Sequence, residues 1–343
     1  MDVQIALLLG QDGIVNGAIY ALLALALVLV FTVTRVIFIP QGEFVAFGAL
    51  TLASFQAGRL PGTLWLLIGG GVLVVLAELA ASRGRLRRPL EVLGWNIAYP
   101  ALLAALAWFG QPQDWPLAFQ VAATLLLVVP LGPMIYRLGY QPLAEAPVLV
   151  LLIVSVAIHL ALVGIGLLFF GAEGSRTPAF SDGSFDFLDI PVSAQTLWVV
   201  GVTGGLMVSL SLFFGRSLWG KALRATAINR VGARLMGIST TTAGKMSFLV
   251  AAAIGALSGI LIAPITTIYY DTGFLIGLKG FVGAIIGGMV SYPLAAAGAI
   301  FVGLVESFSS FWASAFKEVI VFTMIIPVLF WRSLTTRHTE EEE

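Results

Sequence analysis

An all-α, polytopic bundle of transmembrane helices is the fold class this sequence predicts, and three observations carry it. Hydrophobic residues make up 59% of the 343-residue chain and charged residues only 10%, against about 25% charged in an ordinary soluble domain. The apolar residues fall in runs of about 20, the length that crosses a ~30 Å hydrocarbon core at ~1.5 Å per residue. The charges gather in the stretches between those runs. The chain contains no cysteine, which removes disulfides and thiolate chemistry, and its 2 histidines cannot build a His-rich metal site. Asp2 and Asp12 are the first charges, so no basic n-region marks a cleavable signal and the first span is expected to be retained.

Taken in order, apolar segments cover 13–34, 43–58, 61–82, 95–110, 116–137, 147–171, 194–214, 245–269, 275–290, 293–312 and 317–333. Those near twenty residues read as full spans. The shorter 43–58, 95–110 and 275–290 suit tilted, broken or re-entrant helices, so the expected count is about 8 to 11 membrane segments. Gly13/Gly17, Gly201/Gly205, Gly255/Gly259, Gly273/Gly277 and Gly283/Gly287 share the Gly-x-x-x-Gly spacing that lets helix backbones approach closely. Together they predict a tightly packed bundle, by contacts within the chain or across a dimer interface.

Charge sets the expected orientation. If every segment crosses, one side holds Arg35, Arg83, Arg85, Arg87, Arg88, Arg137, Arg216, Lys221, Arg224, Arg230, Arg234, Lys245, Arg332 and Arg337, and the other only Arg59, Arg176 and Lys317. The positive-inside rule then puts the N-terminus outside and the C-terminus in the cytoplasm. The loop 172–193 becomes external and acidic, through Glu173, Asp182, Asp186 and Asp189, and the alternation in Phe185-Asp186-Phe187-Leu188 predicts a small extended element. The basic loop Arg83 to Arg88 reads as a topology anchor on anionic lipid, and the run Glu340 to Glu343 as part of a disordered acidic tail, 334–343.

The polar stretch 215–245 holds six of those basic residues and no acidic one. Ala222 to Ile228 is rich in helix formers, and a second short run, Ala233 to Met236, ends at Gly237, a C-cap. It reads as a cytoplasmic helix presented to another protein. Inside the membrane, Lys279 and Glu306 are expected to pair, because an unpaired charge there costs several kcal/mol; such a pair lines a pathway or braces the bundle. Glu43, after the break Pro40-Gln41-Gly42, reads as a solvated helix cap that faces the cytoplasmic mouth. Glu78 is expected to snorkel toward Arg83 and Arg85. Asn96 and His159 read as interhelical hydrogen-bond formers, and Asp271 as a loop carboxylate that a binding protein could meet.

Several stretches resemble the permeases of branched-chain amino acid ABC importers (the LivH/LivM type). They are the opening GIVNGAIYALLALALVLVFTVTRVIF, the turn Ile39-Pro40-Gln41-Gly42-Glu43-Phe44, Tyr140-Gln141-Pro142-Leu143, and the loop GKALRATAINRVGARLMGIS. The C-terminal third adds Gly273 to Phe281, Gly287-Gly288, Ser291-Tyr292-Pro293, Glu306 and Lys317-Glu318-Val319. The chain departs from the family turn at Phe38 (Asn there) and Gln41 (His there), and has Gln141 where the family has Arg. Residues 59–117 look like an insertion with extra spans.

The resemblance implies a permease that pairs with itself or a sister permease, with two ABC ATPase subunits below and a periplasmic or lipid-anchored solute-binding protein above. It implies that Lys221, Arg224, Ala225, Ala227, Arg230, Arg234 and Gly237 couple to the ATPase, with Arg224 and Arg234 meeting its acidic residues. Glu43, Lys279 and Glu306 would line or brace the pathway. The solute expected from the family is a branched-chain or other hydrophobic amino acid, moved by ATP-driven alternating access. Neither a nucleophile beside a base nor a phosphate-binding Gly-x-x-x-x-Gly-Lys-Ser/Thr loop occurs in the sequence. The chain is therefore not expected to be an enzyme, to carry a cofactor or to bind nucleic acid, and the nucleotide site belongs on another chain. An ion-coupled secondary transporter is the alternative, given broken helices near 264–280 and the pair Lys279/Glu306.

Overall fold

The computed structural model describes residues 3–82, 89–187 and 190–335. The chain is helical almost throughout: α1 (Val3–Thr34), α2 (Gln41–Gln56), α3 (Gly62–Ala81), α4 (Pro89–Leu93), α5 (Tyr99–Phe109), α6 (Leu117–Val128), α7 (Leu131–Ile135) and α8 (Val148–Phe170). After the hairpin β1 (Ser184–Phe187) and β2 (Ile190–Ser193) come α9 (Ala194–Arg216), α10 (Leu218–Ile228), α11 (Arg230–Leu235), α12 (Thr240–Ile262), α13 (Thr272–Ile286), α14 (Tyr292–Trp312), α15 (Lys317–Thr323) and α16 (Ile325–Thr335). A π-helical turn, Gly94–Ala98, joins α4 to α5. Among the described residues nine helical stretches are long and apolar enough to cross a membrane, including Leu90–Phe109 and Leu117–Leu143. The expected short segment 95–110 is therefore a full-length one. By contrast, α2 and α13 are short, at 16 and 15 residues.

The core forms around α1. Its residues from Ile19 to Val30 are all buried, enclosed chiefly by α12, α13 and α14. Small residues let the backbones meet: a Cβ added to Gly13 or Gly17 would fall 2.8 or 2.7 Å from the Cα of Leu304 or Ile300 on α14. The pairs Gly255/Gly259, Gly273/Gly277 and Gly283/Gly287 are likewise closed by α2, α2 and α14. Gly201 and Gly205 differ, since no described atom lies within 4 Å of a Cβ placed there. Four of the five glycine pairs thus pack this bundle, and the fifth lies on a face of α9 that the chain leaves open.

Residues 59–117 build α3 and the α4–α5 stretch, which pack at the periphery against α6, α7 and α8. Arg83 to Arg88 and the acidic run Glu340 to Glu343 lie outside the described residues. Glu78 meets Arg137, whose Nε donates to its Oε1 at 2.8 Å. Asn96 donates to the Val92 carbonyl within its own helix. The alternation at Phe185 to Phe187 forms β1, paired antiparallel with β2.

Candidate functional site

Two helices begin in the middle of the bundle. After α1 the chain reverses at Arg35, which adopts a left-handed φ of 63°, and runs back inward to Pro40. Phe38 anchors this return, its ring 4.6 Å from Phe248 and 5.9 Å from both Phe44 and Tyr140. Pro40 has no N–H to donate to a preceding turn, so α2 starts afresh at Gln41. There Gln41 Nε2 donates to the Ala251 carbonyl at 2.9 Å, and Ala251 is 11 residues from either end of α12. Glu43 accepts from or shares a proton with His159 Nδ1 at 2.7 Å, and His159 is 11 residues from either end of α8. The start of α2 is thereby placed at mid-height of two full spans.

The start of α13 reaches the same level. Phe274 stacks on the His159 ring at 4.3 Å, and the backbones of Gly42 and Gly273 touch: a Cβ on Gly42 would be 2.0 Å from the Gly273 carbonyl oxygen. From this meeting point α2 runs parallel to α12, away from α10, whereas α13 runs toward the α10 side, where Val290 just beyond it shares a cavity with Arg224 and Ile228. Two half-length helices therefore point their N-termini at each other in the middle of the membrane. Each N-terminus carries about half a positive charge, which favours a carboxylate in the first turn, and Glu43 is that group. The expectation of a solvated cap is corrected: Glu43 is 1% exposed and held against α8 by His159. Its Oε2 and the Oε1 of Gln41 have no hydrogen-bond partner among the described residues, so the junction keeps two acceptors to offer.

A second buried group ties four helices. Lys279 Nζ on α13 lies 2.5 Å from Glu306 Oε1 on α14 and 3.1 Å from Glu318 Oε1 on α15. Tyr20 on α1 donates to the other Glu306 oxygen at 2.5 Å. One cation faces two carboxylates, and the tyrosine hydroxyl and the partly exposed Glu318 offset the cost of burying them. Glu318 and Tyr20 are visible in the sequence only as parts of the family-like stretches, and no local signal assigns either of them to the Lys279–Glu306 pair.

On the α10 side, the loop helices start earlier than the expected Ala222 and Ala233, because side chains cap them at Ser217 and Asn229. Ser217 accepts from Gly220 N and Asn229 from Gly232 N, opening α10 and α11. Gly237, at φ 80°, closes α11 in a Schellman pattern with Ile238 N bonded to Ala233 O. The expected ATPase-facing arginines are engaged within the chain. Arg224 stands over the Phe214 ring at 5.9 Å, Arg230 donates to the Ala144 carbonyl, and Arg234 reaches Thr240 and, at 3.5 Å, Glu145. Ala227 packs inward beside Leu223, Ala225 is half-buried, and Lys221 and Gly237 are exposed. What faces outward most is apolar: Ile228, Val231, Leu235 and Met236 are 85, 68, 82 and 82% exposed. Their spacing is the sequence signal that an eye drawn to the charges passes over.

Comparison with known proteins now decides the family. Residues 11–329 match the family described as the branched-chain amino acid transport system / permease component. The chain belongs to this permease family. It is 29% identical over 250 residues to the high-affinity branched-chain amino acid transport system permease protein BraD of Pseudomonas aeruginosa, covering 70% of this chain and 81% of BraD. Over 238 residues it is 29% identical to LivH of Escherichia coli K12, 66% of this chain and 77% of LivH. A solved chain of PsaBC from Streptococcus pneumoniae in complex with Fab aligns over 95% of both chains at TM-score 0.40 and 9% identity, too distant to inform the site. This permease is thus a multi-pass protein of the bacterial inner membrane, a transport component and not an enzyme. Its departures from the family turn have structural uses: Phe38 seats the returning chain in an aromatic cluster, and Gln41 fastens α2 to α12.

Proposed function

We propose that this permease works as the membrane subunit of an ATP-driven, binding-protein-dependent importer of branched-chain or other hydrophobic amino acids. The observation that carries the reading is the apolar face of α10 and α11. Four large side chains stand open on a short helical module outside the spanning bundle, while that module's own arginines bolt it to the rest of the chain. A module so held is rigid enough to transmit force and leaves a greasy face for a partner to cover. Two ABC ATPase subunits are the partners proposed, with the α10 side cytoplasmic, a second permease alongside and a solute-binding protein on the opposite face; Asp271, as the N-cap of α13, lies at the mid-membrane junction and not on that face.

The path from grip to gate is short. The loop helices run directly into α12, and α12 holds the start of α2 through Ala251, Gly255 and Gly259. Tilting α12 as a rigid body would pull Gln41, Gly42 and Glu43 away from Gly273 and part the two half-helices, a hinge or shear transition. Glu43, with its free oxygen, is the pathway residue in this reading; Lys279, Glu306 and Glu318 are the brace that keeps α13, α14 and α15 moving together. Residues 59–117 are read as an addition around this frame.

The test is to place Asp at Leu235 and Met236 and measure retention of the co-expressed ATPase together with solute uptake. Both should be lost while the purified chain stays monodisperse. Retention and uptake at the wild-type level would end the proposal. Uptake that persists when the ATPase is inactivated, and collapses with an ionophore, would instead select ion coupling. Ligand-induced stabilisation of the cognate binding protein would name the solute.

A further inference from the structure

We infer that the groove between α9 and α14 is a binding site for an anionic phospholipid of the leaflet on the α10 side. Two adjoining cavities of about 310 and 370 Å³ share Leu29, Phe214, Arg224 and Tyr292 in their walls. Together they run along α1, from Leu25 at the deep end of one to Val33 and then Arg35, just past the helix, at the rim of the other. Ten residues of helix make that stretch about 15 Å long, which is the depth of one leaflet of a ~30 Å hydrocarbon core.

The lining sorts by depth as a lipid does. The deep end is apolar, closed by Leu25 and Ile254, and the rim carries Arg224 and Arg35. No Asp or Glu lines either cavity, and among the described residues neither arginine forms an ion pair. Ser211 on α9 is exposed beside the opening, so the groove admits a molecule sideways from the bilayer. That charge pattern also decides between occupants. A zwitterionic amino acid would find guanidinium groups for its carboxylate and no carboxylate for its ammonium group. An acyl chain lying along α1 with a phosphodiester at Arg224 and Arg35 satisfies both ends. Seated there, the lipid links α10 through Arg224 to α1 and α14, on the route by which movement of the loop helices reaches the bundle. The site itself does not depend on the proposed transport cycle; only calling that leaflet cytoplasmic does.

Native mass spectrometry of the full chain, delipidated and then titrated with phosphatidylglycerol or with phosphatidylcholine of the same chain length, tests this. Phosphatidylglycerol should be retained in preference, and millimolar inorganic phosphate should not displace it. Arg224→Ala should lower its retention roughly fivefold, the effect of one cation at a membrane surface, and Arg224→Lys should recover part of it. Ala296→Trp, which fills the groove, should abolish retention; Met207→Trp serves if that variant is not monodisperse. Arg216→Ala, basic and on the same side but outside the groove, should change nothing. Equal retention of the two lipids, wild-type retention in the filled variant, or an equal loss from Arg216→Ala would overturn the assignment. So would disulfide crosslinking of Ser211→Cys between two copies in lipid-free protein, which would make the groove a permease–permease contact.

Discussion

Gly42→Ala is the sharpest perturbation of the mid-membrane junction. The new methyl carbon would sit 2.0 Å from the Gly273 carbonyl oxygen, 2.6 Å from its carbon and 3.1 Å from Phe274 N. All three are backbone atoms, so no side-chain rotation relieves the clash, and the start of α13 must move by roughly 1 Å or more. Overpacking costs about 1–3 kcal/mol where side chains can adjust, which puts a rigid contact at the top of that range. Alanine returns at most about 1 kcal/mol of helix propensity. The net loss is about 2–3 kcal/mol. At about 2–4 °C per kcal/mol, the midpoint of thermal unfolding in detergent should fall by roughly 4–12 °C, with uptake abolished. Gly273→Ala meets Gly42 O at 2.1 Å and should behave alike, the double variant costing less than the sum because both relieve the same contact. Gly205→Ala meets nothing within 4 Å and should be neutral or slightly stabilising. If Gly42→Ala unfolds within a degree of wild type, or Gly205→Ala falls as far, the two helix starts do not meet as described.

The remaining predictions follow the buried charges and the caps. Lys279→Met strands Glu306 and Glu318 and should cost about 3–5 kcal/mol, read as loss of folded protein; adding Glu306→Gln should restore much of it, and exchanging the two charges should restore assembly and transport. Glu43→Ala leaves His159 without its acceptor and should cost about 1–3 kcal/mol, whereas Glu43→Gln should keep the fold, both read by thermal unfolding. Asn229→Ala removes the cap of α11 and should cost about 0.5–2 kcal/mol locally, visible as weaker ATPase retention with an unchanged midpoint for the bundle. Met289 holds a φ of 58°, so Met289→Gly should stabilise by up to about 1–2 kcal/mol and Met289→Val should destabilise.

How far the sequence carries depends on how local each feature is. Run length and hydropathy mark the spans, and the shortness of 43–58 and 275–290 marks α2 and α13 as irregular. The same test misjudges 95–110, because Glu91 interrupts the apolar run of a helix that continues through it. The cap at Gly237 is local and legible, whereas those at Ser217 and Asn229 are local but pass unread beside the basic residues. The junction is not local, since Glu43 and His159 are 116 residues apart in sequence. A carboxylate after Pro-Gln-Gly reads as a loop end until His159 of α8 is known to meet it. Arg224, Arg230 and Arg234 show a different limit: their charge suggests a partner elsewhere and says nothing of the ring, carbonyl or carboxylate of the same chain that each also meets.

The enclosure of α1 has a consequence for how the protein is made. Gly17 packs against Ile300, about 280 residues later in the chain, and ribosomes add about 5–20 residues per second. The most central helix must therefore wait in lipid for roughly 14–60 s before α14 arrives to cover it. A chain cut short before Tyr292 would leave the α14 face of that helix permanently uncovered, and membrane proteases and chaperones would meet it there.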